Sequence, residues 1–267
     1  MAVNGQPQPG ALLSEALALG DVHLWFLPED ALAREKLCQD GHGLLSSDER
    51  ARFESMANPV RAQRYRLGRI LLRQALASHL GCDPGTLAFG RGAEGKLILE
   101  HPRQAGIDFC LSHSRRETVL AVVRASGVGI DVEPFSRAPE VLKIARRFYP
   151  DDERRHIEAR GERAASEALA LWTLKEAAVK AIGSTIWRGL SGVPVEIAGR
   201  RIEWHAPPPR GNAGDWQLAL GEFRRGHRLA LALWQPDGGD AIAWHQHIFG
   251  QPAGGADQFE ITAASVF

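Results

Sequence analysis

The sequence has little cysteine, and its three cysteines, Cys38, Cys82 and Cys110, are far apart and form no C-x-x-C pair. They therefore indicate neither a disulfide framework nor a zinc site, and they are typical of a protein in a reducing cytoplasm. The first residues lack a basic segment followed by an apolar one, so secretion is not expected. No apolar run approaches the roughly 18 residues that a membrane-spanning helix needs. We therefore expect a cytoplasmic protein with no membrane partner.

The chain also lacks net charge, because 32 Lys and Arg balance 32 Asp and Glu. No overall field favours nucleic acid or an anionic membrane, so neither is an expected partner. An apolar content of 44% in 267 residues allows a sizeable core, and we expect a monomer. The basic residues are concentrated locally on a predicted helix, at Arg61, Arg64, Arg66, Arg69 and Arg73.

Helical and strand patterns follow the same order twice along the chain. A leader over 1–20 precedes a first set of patterns in 21–127, and a second set fills 128–235. In each set helices come before three or four strands, which predicts an α+β fold with two similar lobes that meet near 126–129. Residues 236–267 are rich in Gly, Gln and Ala and are predicted to be a tail.

Two segments carry acidic residues and a lysine at spacings that suit a divalent cation. In GVGIDVE (127–133), strand alternation places Asp131 and Glu133 on the same side. In LWTLKEAAVKAIG (171–183), helical spacing places Glu176 and Lys180 one turn apart. Mg²⁺, or Mn²⁺ in its place, binds carboxylate oxygens and keeps positions for phosphate and water. The pattern predicts a metal site that holds a phosphate.

Each motif has an ordinary structural interpretation when it is taken alone. An Asp-x-Glu at a strand end is more often a solvated edge or a loop cap, and Glu176 with Lys180 can be a surface ion pair worth ~0.3–0.5 kcal/mol. The segment FCLSHSRRE (109–117) brings Ser112 and His113 to a turn, where both can donate to phosphate oxygens. A Ser/His hydrolase is the other interpretation, but no G-x-S-x-G elbow surrounds the serine.

The order of the motifs is more specific than any one of them. The chain shows G-K at 95–96, F-x-L-S-H-S at 109–114, G-x-G-I-D-x-E at 127–133, R-F-Y-x-x-x-E at 147–153 and W-T-x-K-E-A-x-x-K-A-x-G at 172–183. This series resembles the Sfp-type 4'-phosphopantetheinyl transferases over about residues 22–235. The resemblance implies two pseudo-twofold-related α+β lobes in one chain, with coenzyme A in the cleft between them. The implied activity is transfer of the 4'-phosphopantetheine group to a serine of an apo acyl, peptidyl or aryl carrier protein, with release of 3',5'-ADP.

The resemblance also implies roles for single residues. The metal ligands would be Asp131, Glu133 and Glu176, and the catalytic residues would be Glu176 and Lys180. Glu153 matches a further acid before the long helix. The implied coenzyme A-binding residues are Arg52, Arg91, Lys96, Ser112, His113 and Lys180. The chain departs from the family pattern at Leu97, where a proline is usual, at Cys110, where an asparagine is usual, and in the longer segment 183–190.

Two other functions are compatible with these motifs. A metal-dependent hydrolase of coenzyme A or a related pyrophosphate would use the same acids with water and would need no protein partner. A non-catalytic coenzyme A-binding module would have no need of the three acids, so their presence argues against it. For the transferase, we expect Trp187 and Arg188 to dock the carrier protein, because Trp and Arg are enriched at interface hot spots. The alternative for Trp187 is packing within its own lobe.

Overall fold

The structure is a computed structural model, and it describes residues 17, 21–92, 94–103, 106–114, 117–124, 127–184, 192–224, 226–236, 243–249 and 259–265. Its helices are α1 (Ala31–Asp40), α2 (Ser47–Glu54), α3 (Pro59–Leu80), α4 (Ala138–Phe148), α5 (Asp151–Ala159) and α6 (Ala164–Ala181). Its strands are β1 (Val22–Phe26), β2 (Ala88–Arg91), β3 (Leu97–His101), β4 (Ile107–Ser114), β5 (Glu117–Arg124), β6 (Gly127–Pro134), β7 (Val195–Ala198), β8 (Arg201–Trp204), β9 (Trp216–Phe223), β10 (His227–Trp234), β11 (Trp244–Ile248) and β12 (Phe259–Ala264).

Local signals define the ends of the helices that later form the site. The Asn58 side chain caps α3 by accepting from the Arg61 backbone N–H, with Pro59 in the first turn. The helix ends at Gly81, whose positive φ of 63° is the left-handed conformation that glycine adopts readily. Helix α2 begins with a capping box formed by Ser46 and Glu49.

The strands form two main sheets and a separate hairpin. The first sheet has the order β11-β1-β5-β4, the second has the order β6-β10-β9-β12-β8-β7, and β2 pairs with β3. One cluster of buried residues contains alternate residues of β1, β5, β6 and β10, including Leu24, Val119, Ile130 and Leu231, so the two sheets share a core. Helix α3 covers the first sheet through a second cluster, and α6 covers the second sheet through a third.

Strand β6 and helix α6 touch without intervening side chains because of glycine. A Cβ atom built on Gly129 would lie 1.9 Å from the Ala177 carbonyl oxygen and 2.5 Å from the Ala181 nitrogen. Only glycine permits this approach, since no side chain can occupy such a position. The G-x-G pair therefore brings the last turns of α6 against the first half of β6, next to Asp131.

These elements confirm the α+β class that the sequence predicts, while the pseudo-twofold relation and the lobe boundaries stay predictions. Residues 236–267, predicted to be a tail, instead contain two strands within their described parts. Strand β11 pairs in parallel with β1, and β12 pairs with β9 and β8, so this segment extends both sheets. Of the described helices, none is long and apolar enough to cross a membrane.

Candidate active site

Asp131 lies at the centre of a cluster of charged side chains. It points from β6 toward α6 and is only 4% exposed. Its Oδ1 atom accepts from Ser112 Oγ at 3.0 Å and from Lys180 Nζ at 2.6 Å. Strand β4 supplies the serine and α6 supplies the lysine, so the predicted residues of three distant segments meet at one carboxylate. Lys180 Nζ also lies 3.4 Å from Ser112 Oγ and 3.3 Å from the Ile130 carbonyl oxygen.

Glu133 and Glu176 complete the acidic cluster. Burial raises the pKa of Glu133 to about 7, the Asp131 charge adds to this rise, and the guanidinium of Arg137, hydrogen-bonded to Glu133, opposes it. Burial also raises the pKa of Glu176; Asp131 adds to this rise, whereas Lys180 opposes it. The three acids are thus close enough to disfavour one another's ionisation, which is the electrostatic condition that a bound cation relieves.

Lys180 is the basic member of this cluster. Burial alone would lower its pKa, but the neighbouring Asp131, Cys110 and Glu176 outweigh burial and raise the pKa above the usual value of lysine. Lys180 therefore carries its proton throughout the physiological pH range. A protonated lysine fixed at an acidic cluster is suited to donate to an anionic ligand bound there.

One further observation indicates that the acid cluster suits the predicted divalent cation. Asp131 Oδ2 is buried and has no hydrogen-bond partner among the described residues, although a buried carboxylate oxygen without a partner is costly. That oxygen, with the carboxylates of Glu133 and Glu176, offers the hard donors that Mg²⁺ prefers.

A basic cavity lies beside the acidic cluster, between α2, α3 and the hairpin. Its volume is about 420 Å³, and three of the residues predicted to bind coenzyme A, Arg52, Arg91 and His113, line it. Three further arginines, for which the sequence motifs predict no role, also line this cavity: Arg61, Arg64 and Arg69. Arg64 and Arg69 follow Arg61 by three and eight positions along α3, and these spacings return to the same side of a helix.

The arginines of this region have different partners. Arg52 and Arg69 lie over the Tyr65 ring, with guanidinium carbons 5.7 and 5.3 Å from its centroid. Arg73 is 2% exposed and hydrogen-bonds Glu49 Oε2 at 2.8 Å, and Arg66 donates to the Cys38 carbonyl. The cavity side of α3 is therefore cationic, although Arg69 also reaches Glu49, with its Nε 3.7 Å from Oε1. Arg66 and Arg73 hold α3 to α1 and α2.

Lys96 has protein partners in the structure. Its Nζ donates to Asp108 Oδ2 at 2.5 Å, to the Val128 carbonyl at 3.0 Å and to the Ala181 carbonyl at 3.4 Å. It also lines a smaller cavity together with Lys180. Its contact with coenzyme A stays a prediction, and its contacts join β4, β6 and the end of α6 next to the cluster.

Glu153 does not join the acid cluster but pairs with Lys175, the buried lysine of the W-T-x-K-E motif. Lys175 Nζ donates to Glu153 Oε1 at 2.8 Å and to the Val193 carbonyl at 2.5 Å, and its side chain is fully buried. Burial lowers the pKa of Lys175, and Glu153 opposes that shift. The predicted docking residues Trp187 and Arg188 lie outside the described residues.

Comparison with known proteins gives one consistent result. Residues 127–232 match the model of the 4'-phosphopantetheinyl transferase superfamily. The chain is 33% identical over 192 residues to the 4'-phosphopantetheinyl transferase HetI of Nostoc sp., covering 67% of this chain and 75% of the relative. It is 30% identical over 154 residues to the 4'-phosphopantetheinyl transferase of Bacillus subtilis (57% of this chain and 66% of the relative). It is 29% identical over 144 residues to the 4'-phosphopantetheinyl transferase gsp of Aneurinibacillus migulanus (54% and 58%).

Proposed function

The chain belongs to the 4'-phosphopantetheinyl transferase superfamily, and from this premise we propose that the cluster around Asp131 is the site at which it transfers phosphopantetheine from coenzyme A to a carrier-protein serine. The observation that carries the proposal is the buried Asp131 Oδ2, which has no partner within the described ranges and lies beside two further acids and a protonated lysine. The arginine-lined cavity next to it supplies the positive charge that coenzyme A phosphates need.

Asp131, Glu133 and Glu176 would hold Mg²⁺, with Mn²⁺ as a substitute. When bound, the cation supplies positive charge against the pyrophosphate and its developing negative charge. Ser112 keeps Asp131 oriented through its 3.0 Å hydrogen bond. Lys180, protonated and 2.6 Å from Asp131, would donate to a phosphate oxygen and stabilise the charge of the departing 3',5'-ADP.

We assign the acceptance of the serine proton to Glu176. Burial raises its pKa, so its carboxylate is a stronger base than an exposed glutamate. The serine oxygen forms its bond to the phosphorus of the phosphopantetheine group while its proton passes to Glu176, directly or through water. The bond from that phosphorus to the bridging oxygen breaks, and 3',5'-ADP leaves with the electron pair. The nucleophile belongs to the carrier, so the chain needs no activated serine of its own.

The decisive experiment is incubation of the full chain with coenzyme A, Mg²⁺ and a panel of apo-carriers of fatty acid, polyketide and peptide synthesis. We expect intact mass spectrometry to show one added phosphopantetheine group on at least one carrier. Release of 3',5'-ADP at the same rate without any carrier would instead identify a hydrolase. Binding of coenzyme A with neither reaction would identify a binding module.

Recognition of coenzyme A should be separable from the chemical step. We propose that Arg52 and Arg91 bind its 3'-phosphate, so Arg91→Ala should raise KM for coenzyme A about 10-fold with little change in kcat, because a charge-assisted hydrogen bond contributes ~1.5–3 kcal/mol. The Arg50→Ala variant, changed on the same helix as Arg52 but outside the cavity lining, is the control. The assignment is wrong if Arg91→Ala still prefers coenzyme A over dephospho-coenzyme A as strongly as the parent.

We also propose that the protein is a cytoplasmic monomer. All three cysteines are free, with Cys38 and Cys110 buried, as suits a reducing compartment. Light scattering of the purified chain measures its mass directly, and a mass of twice 29.2 kDa would contradict the monomer.

A further inference from the structure

A cluster of histidines lies on the first sheet, within a region that the transferase site does not use. Strand register pairs His23 of β1 with His245 of β11, and His247 follows two residues later on the same face. Asp21 precedes His23 by two residues, so its side chain shares that face. The His79 ring, at the end of α3, lies 4.5 Å from the His23 ring. The sheet and the end of α3 therefore bring four of the ten histidines of the chain together.

We propose that Asp21, His23 and His245 form a binding site for a divalent transition metal of the zinc class. One ligating atom of each residue lies within 4.8 Å of the others, and His245 Nε2 is 3.2 Å from Asp21 Oδ2. Two atoms bound to one zinc ion at about 2.0–2.2 Å lie at most ~4.4 Å apart, so a small rotation of the side chains completes the site. Imidazole nitrogens with one carboxylate are a common donor set for zinc.

The surroundings of the three residues suit a metal site in two respects. His23 Nδ1 is 3.0 Å from His247 Nε2. When His23 Nδ1–H donates to this acceptor, His23 Nε2 carries no proton and can ligate an ion. The side chains of His245 and Asp21 are 39% and 25% exposed, which gives an ion a path from solvent.

A bound ion would join β11 to β1, and so would tie the end of the chain to the first sheet. The ordinary alternative is that the rings only pack, since His23 stacks on His245 at 4.4 Å and Trp25 stacks on His247 at 4.3 Å. Both arrangements keep β11 on the sheet, but only a metal site makes the stability of the protein depend on zinc.

The test is titration of the full chain with ZnCl₂, after chelator treatment and in a buffer with excess Mg²⁺. Calorimetry measures zinc binding, and thermal unfolding measures the change in Tm. We expect one bound zinc ion and a higher Tm. Asp21→Asn and His245→Ala should each weaken zinc affinity at least ~10-fold and remove the rise in Tm. Circular dichroism verifies that both variants are folded. If His245→Ala does not fold, the result for Asp21→Asn decides, because asparagine has nearly the same shape as aspartate.

Two controls separate this site from other metal sites. His101→Ala removes a histidine of β3 and should leave zinc affinity unchanged. Asp131→Asn changes the acid cluster and should also leave it unchanged, so loss of the transferase site and loss of the zinc site are distinguishable. The proposal is overturned if the parent binds no zinc, if both site variants bind it as the parent does, or if either control weakens binding as much as they do.

Discussion

Asp131→Asn should lower the rate of phosphopantetheine transfer at least ~100-fold, of the order found when one electrostatic stabiliser of a transition state is removed. The substitution keeps the shape of the side chain and an oxygen that Ser112 and Lys180 can reach, but it removes the charge. It also removes the buried Oδ2, the carboxylate oxygen that has no partner in the part of the chain that the structure describes. The measurement is the initial rate of holo-carrier formation by intact mass at saturating coenzyme A and Mg²⁺.

The metal dependence provides the second half of this test. Activity of the parent should disappear in EDTA and return on addition of Mg²⁺ or Mn²⁺. Asp40→Asn, in the exposed Lys36–Asp40 pair of α1, is the matched control and should keep parental activity. Full turnover in EDTA, or an Asp131→Asn rate within a few-fold of the parent, would remove the metal role from this cluster.

The residues of this cluster can be predicted to lie together because their sequence signals are local. Strand alternation places Asp131 and Glu133 together, and helical spacing places Glu176 above Lys180. The close approach that joins the two segments depends on Gly129, which the motif contains, but the contact with the Ala177 carbonyl is visible only in three dimensions.

The elements that sequence patterns did not predict lack an apolar periodicity. Helix α1 buries one residue, Cys38, so it has no apolar stripe to reveal it. Strand β11, with the sequence WHQHI, is half-buried along its length and shows no alternation of apolar and polar residues. Its partner β1 lies at the other end of the described chain, so the pairing is set by tertiary contact and not by local sequence.

The same limit applies to the partners of buried charges. Lys96 and Lys175 each belong to a recognisable motif, but their acceptors, Asp108 and Glu153, come from other elements. A motif shows which residue type is required at a position, whereas the contact that neutralises it depends on how strands and helices pack.

Lys175→Ala should reduce the free energy of unfolding by ~3–5 kcal/mol, the second large effect that the structure predicts. The side chain is fully buried and joins Glu153 of α5 to the Val193 carbonyl, and its ammonium lies 5.2 Å from the centre of the Tyr149 ring. Removal of the lysine leaves the Glu153 carboxylate, 3% exposed, without its main counter-charge in the core. The measurement is urea unfolding followed by tryptophan fluorescence.

The control for this prediction is the exposed Lys36–Asp40 pair, whose atoms are 3.0 Å apart at the surface. Lys36→Ala should change stability by less than ~1 kcal/mol, because water already solvates both charges. The double variant Glu153→Leu with Lys175→Met should be more stable than Lys175→Ala, since it removes both buried charges together and keeps the volume filled. If Lys175→Ala and Lys36→Ala lower the free energy of unfolding equally, the prediction is wrong, because the unpaired buried Glu153 then has no measurable effect on stability.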